Sequence, residues 1–392
     1  MNPNILNTEV QAYINAHLKT DVSPLLLKGS PFDTVDIKTI VEQIEAKVRS
    51  KKKLPTWFNA ENIYYPNKLN IEQTSSEITA LYKSELISGE TIIDLTGGLG
   101  VDCFYFSKKF KSVTHCEINQ DLSNIVKHNY EQLNVKNATA LAVDGIVYLQ
   151  QTNAKFDWIY IDPSRRHDSK GKVFFLADCL PNVPEYLNLL FKRADNILIK
   201  TSPLLDISVG INELKYVKSI HIIAVNNEVK ELLWVLGRGF LGEISIETQN
   251  IKPENTESFS FLLNDEKQAS PNYHLPLEYL YEPNSAILKS GGFNTIAKNY
   301  NIAKLHVNSH LYTSAHLIDF PGRRFKVETI IPYNKKALKQ YNISKANITT
   351  RNFPETVAQI RKKFDISDGG NTYLFFTTDF NGNKIVVKAR KV

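Results

Sequence analysis

The chain has only three cysteines, one methionine and three tryptophans in 392 residues. Cys103, Cys116 and Cys179 lie far apart and form no CxxC pair, which argues against a disulfide framework and against a cysteine-based zinc site. Few, scattered thiols suit a reducing, cytoplasmic setting, and no metal is expected. No apolar run approaches the roughly 20 residues that a membrane span needs. Residues 1–10 have neither the basic flank nor the apolar stretch of a secretory signal. There is no internal repeat and no low-complexity tract. Charged residues make up 22% and apolar residues 42%, so disorder by composition is excluded as well.

The length exceeds one ordinary core and implies two or three domains. The net charge of +6 conceals an asymmetry: residues 271–392 hold 18 Lys/Arg against 8 Asp/Glu, a net of +10, which leaves −4 for the rest. A basic C-terminal third on an acidic remainder suggests a polyanion partner, with an ordinary solvated basic surface as the competing reading.

Residues 1–80 read as mostly helical. Ile37, Ile40, Val41 and Ile44 share one helical face, and a basic cluster (Lys47, Arg49, Lys51, Lys52, Lys53) follows before Pro55. Thr74-Ser75-Ser76-Glu77 supplies capping residues for a further helix. From residue 91 the texture changes to short apolar runs alternating with helix-length segments. Strands are expected at 91–95, 112–117, 138–143, 156–161 and 196–200, the pattern of βαβ units in a covered parallel sheet. Two more at 217–225 and 231–236, joined around Asn226-Asn227, suit an antiparallel edge hairpin. A polar stretch at 249–258 reads as a linker. Beyond it, helical pieces flank Gly291-Gly292. Strands at 325–331, 345–349, 372–377 and 384–388 then alternate with helices at 334–341 and 354–364, as in a small α+β sandwich.

The strongest motif is Asp94-Leu95-Thr96-Gly97-Gly98-Leu99-Gly100-Val101-Asp102 at the end of the first strand. Gly98 and Gly100 permit a tight turn and close approach to a ligand, and the following helix aims its amides into the loop. Such a turn could hold NAD, FAD, another nucleotide, or nothing. Its context narrows the choice. Asp94, Glu117, Asp144 and Asp162 end four successive strands, along the rim where open α/β sheets bind ligands. Asp94 can receive a methionine ammonium, Glu117 both ribose hydroxyls, and Asp144 the adenine edge.

In these residues the chain resembles class I S-adenosylmethionine methyltransferases, with Thr96 where the family often has glycine. The resemblance implies a Rossmann-like seven-stranded α/β sheet. It also implies an S-adenosylmethionine site made of Gln73, Thr74, Asp94, Thr96, Gly97, Gly98, Gly100, Asp102, Glu117, Ile118, Asp144 and Gly145. Glu72-Gln73-Thr74-Ser75-Ser76 resembles the segment that folds over the cofactor's carboxylate in many nucleic-acid methyltransferases. More closely, EQTSSE, DLTGGLGVD, IDPSRR, KTSPLLD, NNEVKELL and ISDGGNTYLFF resemble a bacterial methyltransferase family that ends in ferredoxin-like and THUMP-like domains. That family resemblance implies an RNA substrate, tRNA first. The expected organisation is a helical segment (1–80), a methyltransferase domain (81–245), a ferredoxin-like segment (246–320) and a THUMP-like domain (321–392).

Asp162-Pro163-Ser164-Arg165 stands where amino-methylating enzymes carry Asp/Asn-Pro-Pro-aromatic, so Asp162 and Pro163 are expected to face a target amine. Arg165 and Arg166 suit substrate phosphates, or pair with acids on the surface. Lys200 and Glu228 fall at comparable strand ends. With Asp162, and with Lys68 as a possible first lysine, they resemble the Lys-Asp-Lys-Glu set of ribose 2′-O methyltransferases. No cysteine occupies this loop, which disfavours carbon-5 pyrimidine methylation. In the C-terminal region Gly322-Arg323-Arg324-Phe325-Lys326 is basic with an interleaved aromatic. Phe293, Tyr300, Tyr312, Phe353 and Phe364 are candidates for base stacking, although core packing is the more ordinary role for them. Competing functions are methylation of protein or a small molecule, and a cofactor-binding protein without catalysis.

Overall fold

The computed structural model describes residues 1–165 and 175–392. These fall into two compact units, one comprising Met1–Val217 with Trp234–Phe240, the other Lys218–Leu233 with Leu241–Val392.

The first unit opens with helices. The longest, Ile37–Lys53, starts where the Asp36 carboxylate accepts the Thr39 N–H at 3.0 Å. Its Ile40, Val41 and Ile44 are buried as the 3.6-residue period requires. Helices Pro55–Asn59 and Lys68–Gln73 follow, and Ser76 caps the helix Glu77–Leu86. The strands are β1 (Thr91–Asp94), β2 (Ser112–Cys116), β3 (Ala138–Leu141), β4 (Phe156–Ile161), the two-residue β5 (Ser164–Arg165) and β6 (Cys179–Leu180), and β7 (Ala194–Thr201). Five of them form a sheet in the order β7-β4-β1-β2-β3, and every pairing is parallel. Ile93, Ile159, Ile161, Ile197, Leu198 and Ile199 have no exposed surface. Each contributes about 1.5–3 kcal/mol on burial, and burial at consecutive positions means that both faces are covered. Parallel strands bring their carboxyl ends to one edge, so the acids that terminate them gather there.

The second unit holds most of β8 (Val217–Val225), the first half of β9 (Glu228–Gly237), β10 (Ser245–Ile251) and β11 (Thr256–Leu262). Here β8 pairs with β10 in parallel, and β10 with β11 antiparallel. The expected hairpin turn is present as Asn226 and Asn227, both left-handed at φ +51° and +64°. One expectation is corrected. The polar stretch 249–258 is not a linker: it is the turn and flanks of the β10–β11 hairpin. Its inward positions are polar residues with partners. Thr248 donates to the Phe259 carbonyl at 2.9 Å and Asn250 to the Glu257 carboxylate at 2.9 Å, both with no exposed surface.

The rest of this unit is a sheet of β12 (Tyr279–Pro283), β13 (Ala303–Lys304), β14 (Tyr312–Ser314), β15 (Gly322–Pro332), β16 (Asn347–Arg351), β17 (Tyr373–Thr378) and β18 (Lys384–Lys391). Its order is β13-β14-β12-β15-β18-β17-β16. Alternate residues of β17 and β18 feed two cores. Phe375 and Val387 pack with Leu280, Leu305 and Phe325. Leu374, Phe376 and Val386 pack with Leu338 and Ile360 from the helices Lys335–Lys339 and Val357–Phe364. Buried Glu282 on β12 binds Arg323 of the adjacent β15 and also Arg351 of β16, four strands along, at 2.9 Å. That contact requires the sheet to coil. No helix among the described residues is long and apolar enough to cross a membrane.

Candidate cofactor and catalytic site

The loop after β1 is pinned from below. Gly97 N–H donates to the Cys116 carbonyl at 2.8 Å, and Gly98 N–H to the Glu117 carboxylate at 2.9 Å, so the loop is tied to the end of β2. Gly100 takes φ +76°, and a Cβ there would lie 2.4 Å from the Tyr130 hydroxyl, which itself donates to the Gly100 carbonyl at 2.9 Å. Only glycine meets both demands. Gly145 is constrained differently: its Cβ would lie 2.5 Å from the Leu95 carbonyl oxygen. It therefore lets the helix Gly145–Gln151 seat against the β1 loop.

Thr96 explains its own departure from the family pattern. Its N–H and hydroxyl both face Asp94 Oδ1, at 2.9 and 3.2 Å, and its hydroxyl oxygen accepts the Asp162 N–H at 2.7 Å. One side chain thus ties the end of β1 to the segment after β4, which glycine could not do.

Above these loops lies a cavity of about 700 Å³. Of the residues expected to hold the cofactor, Gln73, Thr74, Asp94, Thr96, Gly97, Gly98, Asp102, Glu117, Ile118, Asp144 and Gly145 line it, and Gly100 does not, being buried behind the loop. Asp162 is also on the wall. Pro163 is buried beside it. Lys200 places its Nζ 2.5 Å from Asp162 Oδ2. Lys68 is not on the wall and pairs with Glu45 at 3.4 Å. Glu228 belongs to the second unit, where its carboxylate pairs with Lys230 at 2.6 Å. Arg165 lies in β5, and Arg166 falls outside the described residues.

The wall is electrostatically uneven. Asp94 is 1% exposed. Burial raises its carboxyl to about 8, with the nearby charges of Asp102 and Asp162 adding to burial and the Thr96 N–H opposing it. Asp102 accepts from the Ser75 hydroxyl at 2.8 Å and the Tyr160 hydroxyl at 2.9 Å. The fully buried Lys83 ammonium lies 3.2 Å from Asp102 Oδ1, close enough for an ion pair but not aligned as a hydrogen bond. Lys83 also donates to the Ser75 hydroxyl at 3.2 Å. The EQTSSE segment therefore reaches the cavity and is fastened there through Asp102. His115, under the glycine loop, is pushed down to about 4 by burial and stays neutral. Burial likewise lifts the Cys116 thiol, on the cavity wall, to about 12. Asp144 spends its carboxylate on the helix behind it, accepting the N–H groups of Ile146 and Val147 at 2.8 and 3.1 Å. Ile118 stands 73% exposed at the cavity edge, an apolar side chain without an apolar cover.

Sequence reasoning missed Lys83 and Tyr160, and it named Ser75 within the EQTSSE segment without its partner Asp102. A signal existed: Lys83 shares the inward stripe of its helix with Glu77, Ala80 and Ser84, and charges on a buried stripe mark a polar network. It also missed Asn182, Glu185 and Tyr186, which enter the cavity wall from the start of the helix Val183–Arg193. In the second unit the basic motif is largely paired. Arg323 binds Glu282, Arg324 lies 3.2 Å from Asp319, and Lys326 lies 3.2 Å from Glu278. Phe325 and Tyr312 are fully buried, Phe353 and Phe364 pack on the core, and Phe293 stacks on His310.

Residues 279–321 match a ferredoxin-like domain family and residues 322–391 a family described as THUMP domain-like. The chain is similar to a "putative methyltransferase" of known crystal structure from Porphyromonas gingivalis W83. The two are 32% identical with a TM-score of 0.90, over 99% of this chain and 98% of that one. An uncharacterized RNA methyltransferase from Mycoplasma mobile is 31% identical over 156 residues, or 38% of this chain. The match spans only 43% of that curated relative.

Proposed function

Because the chain belongs to the same methyltransferase family as the Porphyromonas gingivalis protein, we propose that it transfers a methyl group from S-adenosylmethionine to RNA, tRNA foremost. The observation that carries this reading is the convergence of Asp94, Glu117, Asp144 and Asp162 with the glycine loop on one cavity.

The residues fit the cofactor. The buried Asp94 carboxyl, pushed up to about 8, suits an incoming ammonium. Gln73, Thr74 and Asp102 flank the carboxylate end, with Thr96, Gly97 and Gly98 in the loop and Gly100 shaping it from behind. Glu117 accepts ribose hydroxyls, and Ile118, Asp144 and Gly145 surround the base. Bound there, S-adenosylmethionine supplies an electrophilic sulfonium methyl. The protein's task is alignment and a route for the departing proton. Asp162, with Pro163 beside it, accepts a hydrogen bond from the attacking N–H or O–H. The Lys200 ammonium pairs with Asp162 Oδ2 and leaves Oδ1 to the substrate. Cys116 stays a protonated thiol at neutral pH, which disfavours carbon-5 methylation by a cysteine adduct.

The RNA part of the reading rests on the +10 charge of residues 271–392, the THUMP domain-like match and the Mycoplasma mobile relative. A cytoplasmic setting follows from such a substrate. In this reading 81–245 is the catalytic domain and 321–392 the RNA-handling end, with Arg165 and Arg166 on substrate phosphates. The test is tritiated methyl transfer from S-adenosylmethionine to tRNA, rRNA and protein fractions of a strain lacking the gene. Label in an RNA fraction is the expected result. Label in protein alone would overturn the RNA assignment, and no label with intact cofactor binding would favour a non-catalytic role.

A further inference from the structure

We propose that the last two turns of the helix Ile37–Lys53 are a docking surface for the phosphate backbone of the substrate RNA, beside the catalytic cavity; this rests on the RNA reading above. Lys47, Arg49, Lys51, Lys52 and Lys53 put five positive charges into seven residues. Residues 1–270 carry a net −4, so this concentration is no general property of the region. A helix C-terminus attracts cations, but its dipole amounts to only about half a charge. Lys47 with Lys51, and Arg49 with Lys53, are like-charge neighbours at i,i+4, which repel.

Local acids do not neutralise the cluster. Arg49 pairs with Glu72, while Lys51 and Lys52 are exposed and have no ion pair among the described residues. Lys47 is folded in over the rings of Phe58 and Tyr65, and Lys51 also lies over Phe58, 5.9 Å from its centroid. These ring contacts gather the stems and leave the charge unbalanced. A polyanion supplies what is missing, and ammonium groups on flexible stems bind phosphates without reading sequence.

The position gives the surface its purpose. The helix packs along the helix Lys68–Gln73, and Lys53 Nζ donates to the Glu72 carbonyl at 2.6 Å. Asn70, Gln73 and Thr74 of that neighbouring segment line the cavity. The cations therefore stand on a helix packed against a segment of the cavity wall, within reach of a strand whose target nucleotide enters the cavity from that side.

The test measures binding of total bacterial tRNA to the full chain as a function of salt, for wild type and for the double variant Lys51→Gln/Lys52→Gln. Each phosphate that a lysine neutralises adds roughly 0.7–0.9 to the slope of log K against log salt, so removing two lysines should lower that slope by about 1.4–1.8. Cofactor affinity should not change. Lys109→Gln/Lys136→Gln is the charge-matched control, since both residues are exposed and precede β2 and β3, at the sheet edge opposite the cavity; its slope should match wild type. An unchanged slope in the Lys51/Lys52 variant, or an equal fall in the control, would overturn the docking surface alone. Absence of salt-dependent binding by the wild type would overturn it together with the RNA reading.

Discussion

The Asp94 carboxyl should make cofactor binding depend on pH in a way that one substitution removes. Burial raises it to about 8, so at pH 7 the free protein holds Asp94 mostly protonated. A cationic ligand prefers the ionised form, and below pH 8 binding must expel the proton. The cost is about 1.4 kcal/mol, or tenfold in Kd, for each pH unit below 8. The ligand's own α-amine titrates near 8 as well, so wild-type affinity alone is ambiguous. The informative quantity is the ratio of the Kd of Asp94→Asn to that of wild type. Asparagine keeps an oxygen to accept from Thr96 but cannot ionise. The ratio should be largest near pH 9, change little between pH 9 and 8, and shrink about tenfold per unit from pH 8 down to pH 6. Calorimetry in buffers of different ionisation enthalpy should show proton release by wild type at pH 7 beyond that of the variant. A ratio independent of pH from 6 to 9 would refute the reasoning. The same group bears on folding with the opposite sense. Its native pKa lies above the unfolded value, so the native state binds the extra proton and is favoured at low pH. That contribution disappears as pH rises through about 8, and the melting temperature of wild type relative to Asp94→Asn should fall over that range.

Other consequences follow from the same geometry. Asp162→Ala should lower turnover by at least about 100-fold, as expected for loss of a positioned proton acceptor, while calorimetric cofactor affinity is retained. Thr96→Val removes the hydroxyl that joins Asp94 to the Asp162 N–H. A loss of about 1–2 kcal/mol should appear in kcat more than in cofactor Kd, with Thr96→Ser restoring most of it. Glu282→Ala leaves Arg323 and Arg351 without their shared carboxylate. Both guanidinium groups are a third or more exposed, so the loss should sit at or below the low end for a broken buried pair, about 2–3 kcal/mol, read by chemical denaturation. Gly145→Ala drives a methyl group into the Leu95 backbone and should cost about 1–3 kcal/mol, together with weaker cofactor binding.

What was legible in the sequence was whatever depends on local pattern. Continuous apolar runs such as 158–161 marked strands that are buried on both faces, and acids at their ends named a rim because parallel strands share a direction. The glycine loop was legible because φ +76° at Gly100 leaves little choice of residue. The β10–β11 hairpin was not, because its core-facing positions include Thr248 and Asn250, whose burial is permitted only by partners 11 and 7 residues further along the chain. Polarity reads as exposure until those partners are known. Lys83 stayed hidden for the same reason: an ammonium with no exposed surface makes sense only once Asp102 and Ser75 are brought to it from two other elements.

These two kinds of residue divide the work of the site. The strand-end acids offer groups to a ligand, and they are readable because their placement follows from strand direction alone. Lys83, Ser75 and Tyr160 hold Asp102, in the first turn of the helix after the glycine loop, and the Thr96 hydroxyl holds the strand-end Asp94. Both carboxylates stand on the cavity wall. Thr96 belongs to both sets: it occupies a position whose usual glycine would serve the loop, and its side chain extends that loop's control to Asp162. The cofactor end and the catalytic end of the cavity are thereby one hydrogen-bonded assembly, so a substitution at the first should be felt at the second even where no substrate atom is touched.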